Sequence, residues 1–186
     1  IIISRSVYYT NFGKGDEILK ETVNYYPVNT SNVDSVVFST LYFSKGKTQT
    51  FYKYGDTTGS LGIYTGEIDV LTMDPWELKL VHTESFSLAG RLSAEGVITP
   101  SLSTHRKKLT SETFYYVDGR EKGEEISFFT YGYKAGVKDN VSVSYYKGVG
   151  TELRLAASDS RVSSESVMLS SVTYAPFTGN GADLPS

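Results

Sequence analysis

The sequence predicts an all-β, antiparallel domain, and three observations carry that reading. Apolar residues alternate with polar ones at period two. In Asn140-Val141-Ser142-Val143-Ser144-Tyr145, residues Val141, Val143 and Tyr145 fall on one strand face and the serines on the other. Tyrosine is abundant, 15 residues against 9 Phe, and suits a half-buried pleated surface with its ring packed and its hydroxyl wet. No stretch carries a 3.6-residue apolar period, so no helix is expected.

Taken in order, the alternating segments place strands near 4–10, 17–26, 34–44, 47–54, 62–72, 76–88, 91–99, 111–117, 124–134, 140–147, 151–157 and 165–175. Turn chemistry separates them. Ser44-Lys45-Gly46-Lys47 and Ala89-Gly90 read as hairpin turns, and Asp118-Gly119 closes the strand before it. Met73-Asp74-Pro75 interrupts pairing, because proline cannot donate to a ladder. The segments 34–44 and 124–134 are apolar on both faces and are expected to be covered on both sides or to lie in a barrel wall. Residues 1–175 therefore read as a single antiparallel β domain. The Pro- and Gly-rich stretch 176–186 reads as an irregular C-terminal arm. Twelve strands with few charged interiors favour a closed or nearly closed barrel, because closure removes edges. A two-sheet sandwich or jelly roll is the alternative.

Composition excludes several function classes. The formal net charge is −3, and the one basic cluster, His105-Arg106-Lys107-Lys108, reads as a solvated loop, so no nucleic-acid partner is expected. No apolar run is long enough for a transmembrane segment. Without cysteine there is no disulfide framework, thiolate metal site or cysteine nucleophile. The chain starts at Ile1 rather than Met, which reads as a processed product and allows a secreted or surface location. Two histidines without cysteine fall short of a dedicated zinc site, so no metal and no cofactor is expected. No Gly-x-Ser-x-Gly elbow occurs. Asp56-Thr57-Thr58-Gly59-Ser60 does not continue as a calcium loop and reads as a turn. Asn29-Thr30-Ser31 and Asn140-Val141-Ser142 match the glycosylation triplet at the frequency that chance allows.

One segment concentrates chemistry. On a strand over 76–88, one face carries Trp76, Leu78, Leu80, His82, Glu84, Phe86 and Leu88. His82 and Glu84 are two residues apart, so a carboxylate lies beside an imidazole. Trp76, Leu78, Leu80, His82, Glu84 and Phe86 are the candidate ligand-binding residues, with Trp76 expected buried or at a barrel mouth. The plainer reading is a solvent-facing polar pair on an ordinary strand.

Around it, Gly62-Ile63-Tyr64-Thr65-Gly66-Glu67-Ile68, the turn Asp74-Pro75-Trp76, His82-Thr83-Glu84-Ser85-Phe86-Ser87-Leu88, Ala89-Gly90 and Arg91-Leu92-Ser93-Ala94-Glu95-Gly96 follow one another. This order resembles the central strands of the allene oxide cyclase and dirigent-protein barrels. Gly148-Val149-Gly150-Thr151-Glu152-Leu153-Arg154-Leu155-Ala156 is similar to the glycine turn and following strand of that group, except that Val149 separates the two glycines. Residues 100–147 also span more chain than the group usually has between these motifs. No catalytic acid of the group matches a residue here. The resemblance implies a barrel that binds a small apolar or phenolic molecule, with cyclase or dirigent-type chemistry. The second reading is a non-enzymatic interaction or assembly protein, lectin-like, capsid-like or a surface subunit, which the Ser/Thr faces and the extended tail support. A homo-oligomer is the partner that this reading implies.

Overall fold

In the computed structural model the described residues are 4–9, 12, 17–25, 46–55, 70, 72–88, 103–150 and 153–174. They form one antiparallel sheet of nine strands. These are β1 (Ser4–Tyr9), β2 (Ile18–Tyr25), β3 (Gly46–Gly55), β4 (Lys79–Ser87), β5 (Leu109–Tyr116), β6 (Ile126–Lys134), β7 (Val137–Lys147), β8 (Arg154–Ala156) and β9 (Met168–Tyr174). A single helical turn, α1 (Ser103–Arg106), precedes β5. Strands β1 to β8 are neighbours in chain order, and β9 pairs with β7. Among the described residues the sheet is open, since β1 and β9 do not pair with each other.

The all-β antiparallel expectation holds. The expected strands 34–44 and 91–99, most of 62–72, and the tail 176–186 lie outside the described residues, as does the greater part of the segment that resembles the cyclase and dirigent barrels. Val70 and Thr72 correct the expected strand 62–72 at its end, because both are helical. The strand expected from residue 76 begins at Lys79. Asp74 explains the delay. Its carboxylate accepts the Trp76 amide at 3.0 Å and its carbonyl accepts the Glu77 amide at 3.0 Å, which curls the chain into a turn. Gly46, expected in a turn, already belongs to β3, and Lys47 lies in that strand as the segment 47–54 predicts. The Asp118-Gly119 turn forms as expected, with Gly119 at a φ of 68° and Arg120 donating to the Val117 carbonyl.

Residues opposite one another on paired strands share a face, so the register defines two surfaces. One face carries the row Glu21, Phe51, Glu84, Glu112, Tyr131 and Val141, beside the row Lys53, His82, Phe114, Phe129 and Val143. Its apolar members pack into two clusters. Val23, Tyr25, Phe86, Leu88 and Leu109 form one, and Phe114, Tyr131, Val141 and Val143 the other. The opposite face is a ladder of small polar groups. One row runs Ser6, Thr22, Thr50, Ser85, Ser111, Gly132 and Asn140, and the next Tyr52, Thr83, Thr113, Thr130, Ser142 and Thr173. Hydroxyls bond across neighbouring strands at Thr50–Ser85 (2.9 Å) and Thr113–Thr130 (3.0 Å).

A candidate site on the apolar face

Strand β4 delivers the site, and a β-bulge decides which of its residues share a face. Lys53 pairs with His82, but its neighbour Tyr54 pairs with Leu80, so Val81 is the extra residue. The amide of Leu80 beside the bulge donates to Glu125 Oε1 at 2.9 Å. Beyond the bulge the alternation changes hand. Leu78 and Leu80 pack with Tyr9, Ile18, Tyr54 and Val70 in a separate cluster. His82, Glu84 and Phe86 stay together on the apolar face.

The six candidate residues therefore divide. Three are gathered: His82, Glu84 and Phe86. Leu78, fully buried, and Leu80 sit in the other cluster and do not join them. Trp76 is 69% exposed on the turn before β4, with the Lys122 ammonium 5.5 Å from its ring, which corrects the expectation of a buried indole. Period-two counting runs unbroken through Trp76, Leu78 and Leu80, whereas the chain has a turn and a bulge there.

Around His82 and Glu84 the neighbouring strands bring groups that the sequence reading did not single out. Glu84, 2% exposed, takes the Lys53 ammonium on Oε2 at 2.8 Å and the Arg106 guanidinium on Oε1. Arg106 also reaches Glu112 Oε1 at 3.5 Å, and the Tyr133 hydroxyl donates to Glu112 Oε2. His82, 5% exposed, stacks on Phe114 with ring centroids 4.5 Å apart. Phe114 stacks in turn on Phe129 at 4.6 Å. The plainer reading of His82 and Glu84 as a solvent-facing pair is thus corrected, since both are buried. The basic cluster is solvated as expected at Arg106, Lys107 and Lys108, which are exposed, but the Arg106 guanidinium also reaches from α1 to both carboxylates. The backbone at Arg106 and Lys107 lies so close to Gly136 that a Cβ there would stand 2.9 Å from the Arg106 carbonyl and 2.8 Å from Lys107 Cα. Gly136 is thereby the floor on which the Arg106 turn rests.

The electrostatics follow from burial and pairing. Burial alone would raise the Glu84 carboxyl, but hydrogen bonds and charge from Lys53 and Arg106 outweigh it and hold the group below the ordinary carboxylate range. Burial, then the Lys53 charge, pushes His82 down to about 4, so the imidazole is neutral near pH 7. Burial and the hydrogen bond to Glu112 push the Tyr133 hydroxyl up. Two carboxylates and two cations thus compensate one another on a mostly apolar face.

Two buried atoms of this cluster, His82 Nε2 and Glu84 Oε2, have no hydrogen-bond partner, although the Lys53 ammonium stands 2.8 Å from the second. His82 Nε2 lies 3.9 Å from Glu112 Oε1. An oxygen about 2.8 Å from each atom would bridge that gap with two hydrogen bonds. Gln49, whose Nε2 donates to Glu21 at 2.7 Å, also leaves its buried Oε1 unpartnered. Buried polar atoms in folded proteins are nearly always paired, so an unpartnered one calls for a water, an ion or another polar group beside it.

No cysteine nucleophile exists, and the arrangement lacks a serine beside the imidazole among the contacts described for His82. What it offers is a neutral imidazole, two carboxylates held by cations, and aromatic walls. No family model, curated protein or solved structure matches the chain.

Proposed function

We propose that this chain is a small-molecule-binding β domain, a closed or nearly closed barrel, whose ligand is an apolar or phenolic molecule anchored at His82 and Glu112. The unpartnered His82 Nε2 facing Glu112 across 3.9 Å carries the reading. A hydroxyl on the ligand fills the gap, giving and receiving one hydrogen bond, while Phe114, Phe129 and Tyr131 supply an apolar wall. Such a site combines an aromatic lining with a few convergent polar groups. Cyclase or dirigent-type chemistry on the same ligand class is the enzymatic form of this reading.

The test compares 2-naphthol with naphthalene by isothermal titration. Binding of 2-naphthol with a Kd near or below about 100 μM, and of naphthalene at least about tenfold weaker, supports it. His82→Ala should remove the preference for the hydroxyl. Equal binding of both probes, or of neither, overturns the reading.

The assembly reading has its own observation. Strand β9, Met168–Tyr174, contains no charged residue, and its Met168, Leu169 and Tyr174 are exposed. Uncharged edges of this kind pair with other chains. A second copy pairing along β9 would give a dimer by light scattering, and Leu169→Lys would return it to monomer. A monomer at all concentrations removes this reading.

A further inference from the structure

The acid pair on β4 and β5 is arranged for a cation. Each carboxylate has an outer and an inner oxygen. The outer oxygens are held by the scaffold, Glu84 Oε2 by the Lys53 ammonium at 2.8 Å and Glu112 Oε2 by the Tyr133 hydroxyl. The inner oxygens, Glu84 Oε1 and Glu112 Oε1, face the same guanidinium, that of Arg106. His82 Nε2 points at this spot and has no partner of its own. One ligand atom from each of His82, Glu84 and Glu112 lies within 4.8 Å of the others, and all three residues are buried.

We propose that His82, Glu84 and Glu112 form a site for a divalent transition-metal ion, and that Arg106 is an internal cation that vacates it. The proposal rests on the reading of the cluster as a ligand site.

Three features favour a metal over a purely structural ion pair. Ligand atoms about 2.1 Å from a tetrahedral ion stand about 3.4 Å apart, so a shift of at most about 0.7 Å by each atom closes the present spacing. Orienting partners on the outer carboxylate oxygens are what metal-ligating carboxylates normally have. Arg106 is the most exposed member of the cluster, with a 45% exposed side chain on a four-residue turn. Its departure leaves two carboxylates, one ammonium and one imidazole, a net charge of −1, which a divalent ion overcompensates by one charge. That is the balance of a two-imidazole, one-carboxylate site. A nitrogen with two carboxylate oxygens suits zinc, cobalt, manganese or iron(II) and leaves positions open for an oxygen ligand. Calcium and magnesium, which take oxygen ligands, do not use the imidazole.

The experiment uses the full chain stripped with EDTA and titrated with Co²⁺, read by its visible ligand-field bands, and with Zn²⁺ by calorimetry. One equivalent of either ion is expected to bind. Arg106→Ala should tighten binding by about tenfold or more, because the competing guanidinium is gone. Tyr133→Phe should weaken it by about tenfold through the freed outer oxygen. His82→Gln, made in the Arg106→Ala chain, should abolish the cobalt bands. Arg106→Gln, which removes the charge and keeps a polar side chain, gives the same tightening if Arg106→Ala does not fold. Absence of cobalt bands in both the parent and the Arg106 variant that folds overturns the proposal, as does binding that survives His82→Gln. Metal binding without any 2-naphthol preference sinks the phenolic reading and leaves the metal site standing. The converse result does the reverse.

Discussion

The two faces of one sheet solve opposite problems with the same strands. On the ladder face, Thr50, Ser85, Thr113 and Thr130 spend short hydroxyls on one another and need no charge. On the apolar face, Glu84 and Glu112 are directly opposite in register and each would be costly to bury alone. They are tolerated because Lys53 comes from β3, Arg106 from α1 and Tyr133 from β6. Removing a hydroxyl from the first face loosens one weak bond. Removing a member of the second leaves an uncompensated charge in an apolar setting.

That contrast is tested most severely at Glu84. Glu84→Ala leaves Lys53 and Arg106 without their shared acceptor, and breaking a buried pair of this kind costs about 3–5 kcal/mol. Urea unfolding of Glu84→Ala against the parent measures it. A loss below about 1 kcal/mol would mean that the cluster is solvated and the two faces are energetically alike.

Acidification breaks the same face from another direction. His82 has an ordinary pKa of 6.5 and is held at about 4 in the fold, so between these values the unfolded chain binds the proton and the folded chain does not. Its contribution is therefore fully present above pH 6.5 and is lost as pH falls toward 4, a change of about 3 kcal/mol. Glu84, also depressed, adds a loss of the same sign at lower pH, beginning in the ordinary carboxylate range. Stability of the metal-free protein measured from pH 7.5 to pH 4 should fall accordingly, and His82→Gln should flatten the upper part of the curve. An unchanged slope in that variant would place the titration elsewhere.

The contrast also explains what the sequence made legible. Alternation within a strand is local, so nearly every described strand was visible in it, and so was the Ser/Thr face, since 140–145 alternates over its whole length. The placement of His82 and Glu84 on one face was visible for the same reason. Their partners were not. Glu112 is 28 positions from Glu84 and becomes its neighbour only through the β4–β5 register. Lys53, Arg106 and Tyr133 carry no local mark that separates them from surface residues. The bulge at Val81 was equally hidden, because no Gly or Pro announces it, and without it Leu78 and Leu80 counted onto the wrong face. A cross-strand contact is a property of register, and one sequence shows register only where a turn is short and diagnostic.

Gly136 tests how firmly Arg106 is seated, with a smaller expected effect. Ala at 136 must adopt a φ of 80° and push its Cβ into the backbone of Arg106 and Lys107. The positive φ alone costs about 1–2 kcal/mol. Gly119 is the control, with a φ of 68° and nothing within 4 Å of its Cβ. Gly119→Ala should show the conformational cost alone. Gly136→Ala should exceed it by about 1 kcal/mol and shift the pH–stability curve, because Arg106 moves off Glu84. Equal losses at both glycines would show that α1 gives way freely and does not fix Arg106.

The smallest effect belongs to the ladder face. Thr113→Val removes one hydroxyl from the Thr113–Thr130 pair at 3.0 Å and replaces it with a methyl of similar shape on a residue type that favours strands. A hydrogen bond of this kind contributes about 0.5–1.5 kcal/mol net, and the valine recovers part of it, so the change in stability should stay within about 0.5 kcal/mol. The pH dependence should not move, because no ionised partner faces this pair in the two ladder rows. A loss above about 2 kcal/mol would mean that Thr130 has been left buried and unpaired. The ladder face would then be covered by another layer, and the difference between the two faces would be one of chemistry and no longer one of exposure.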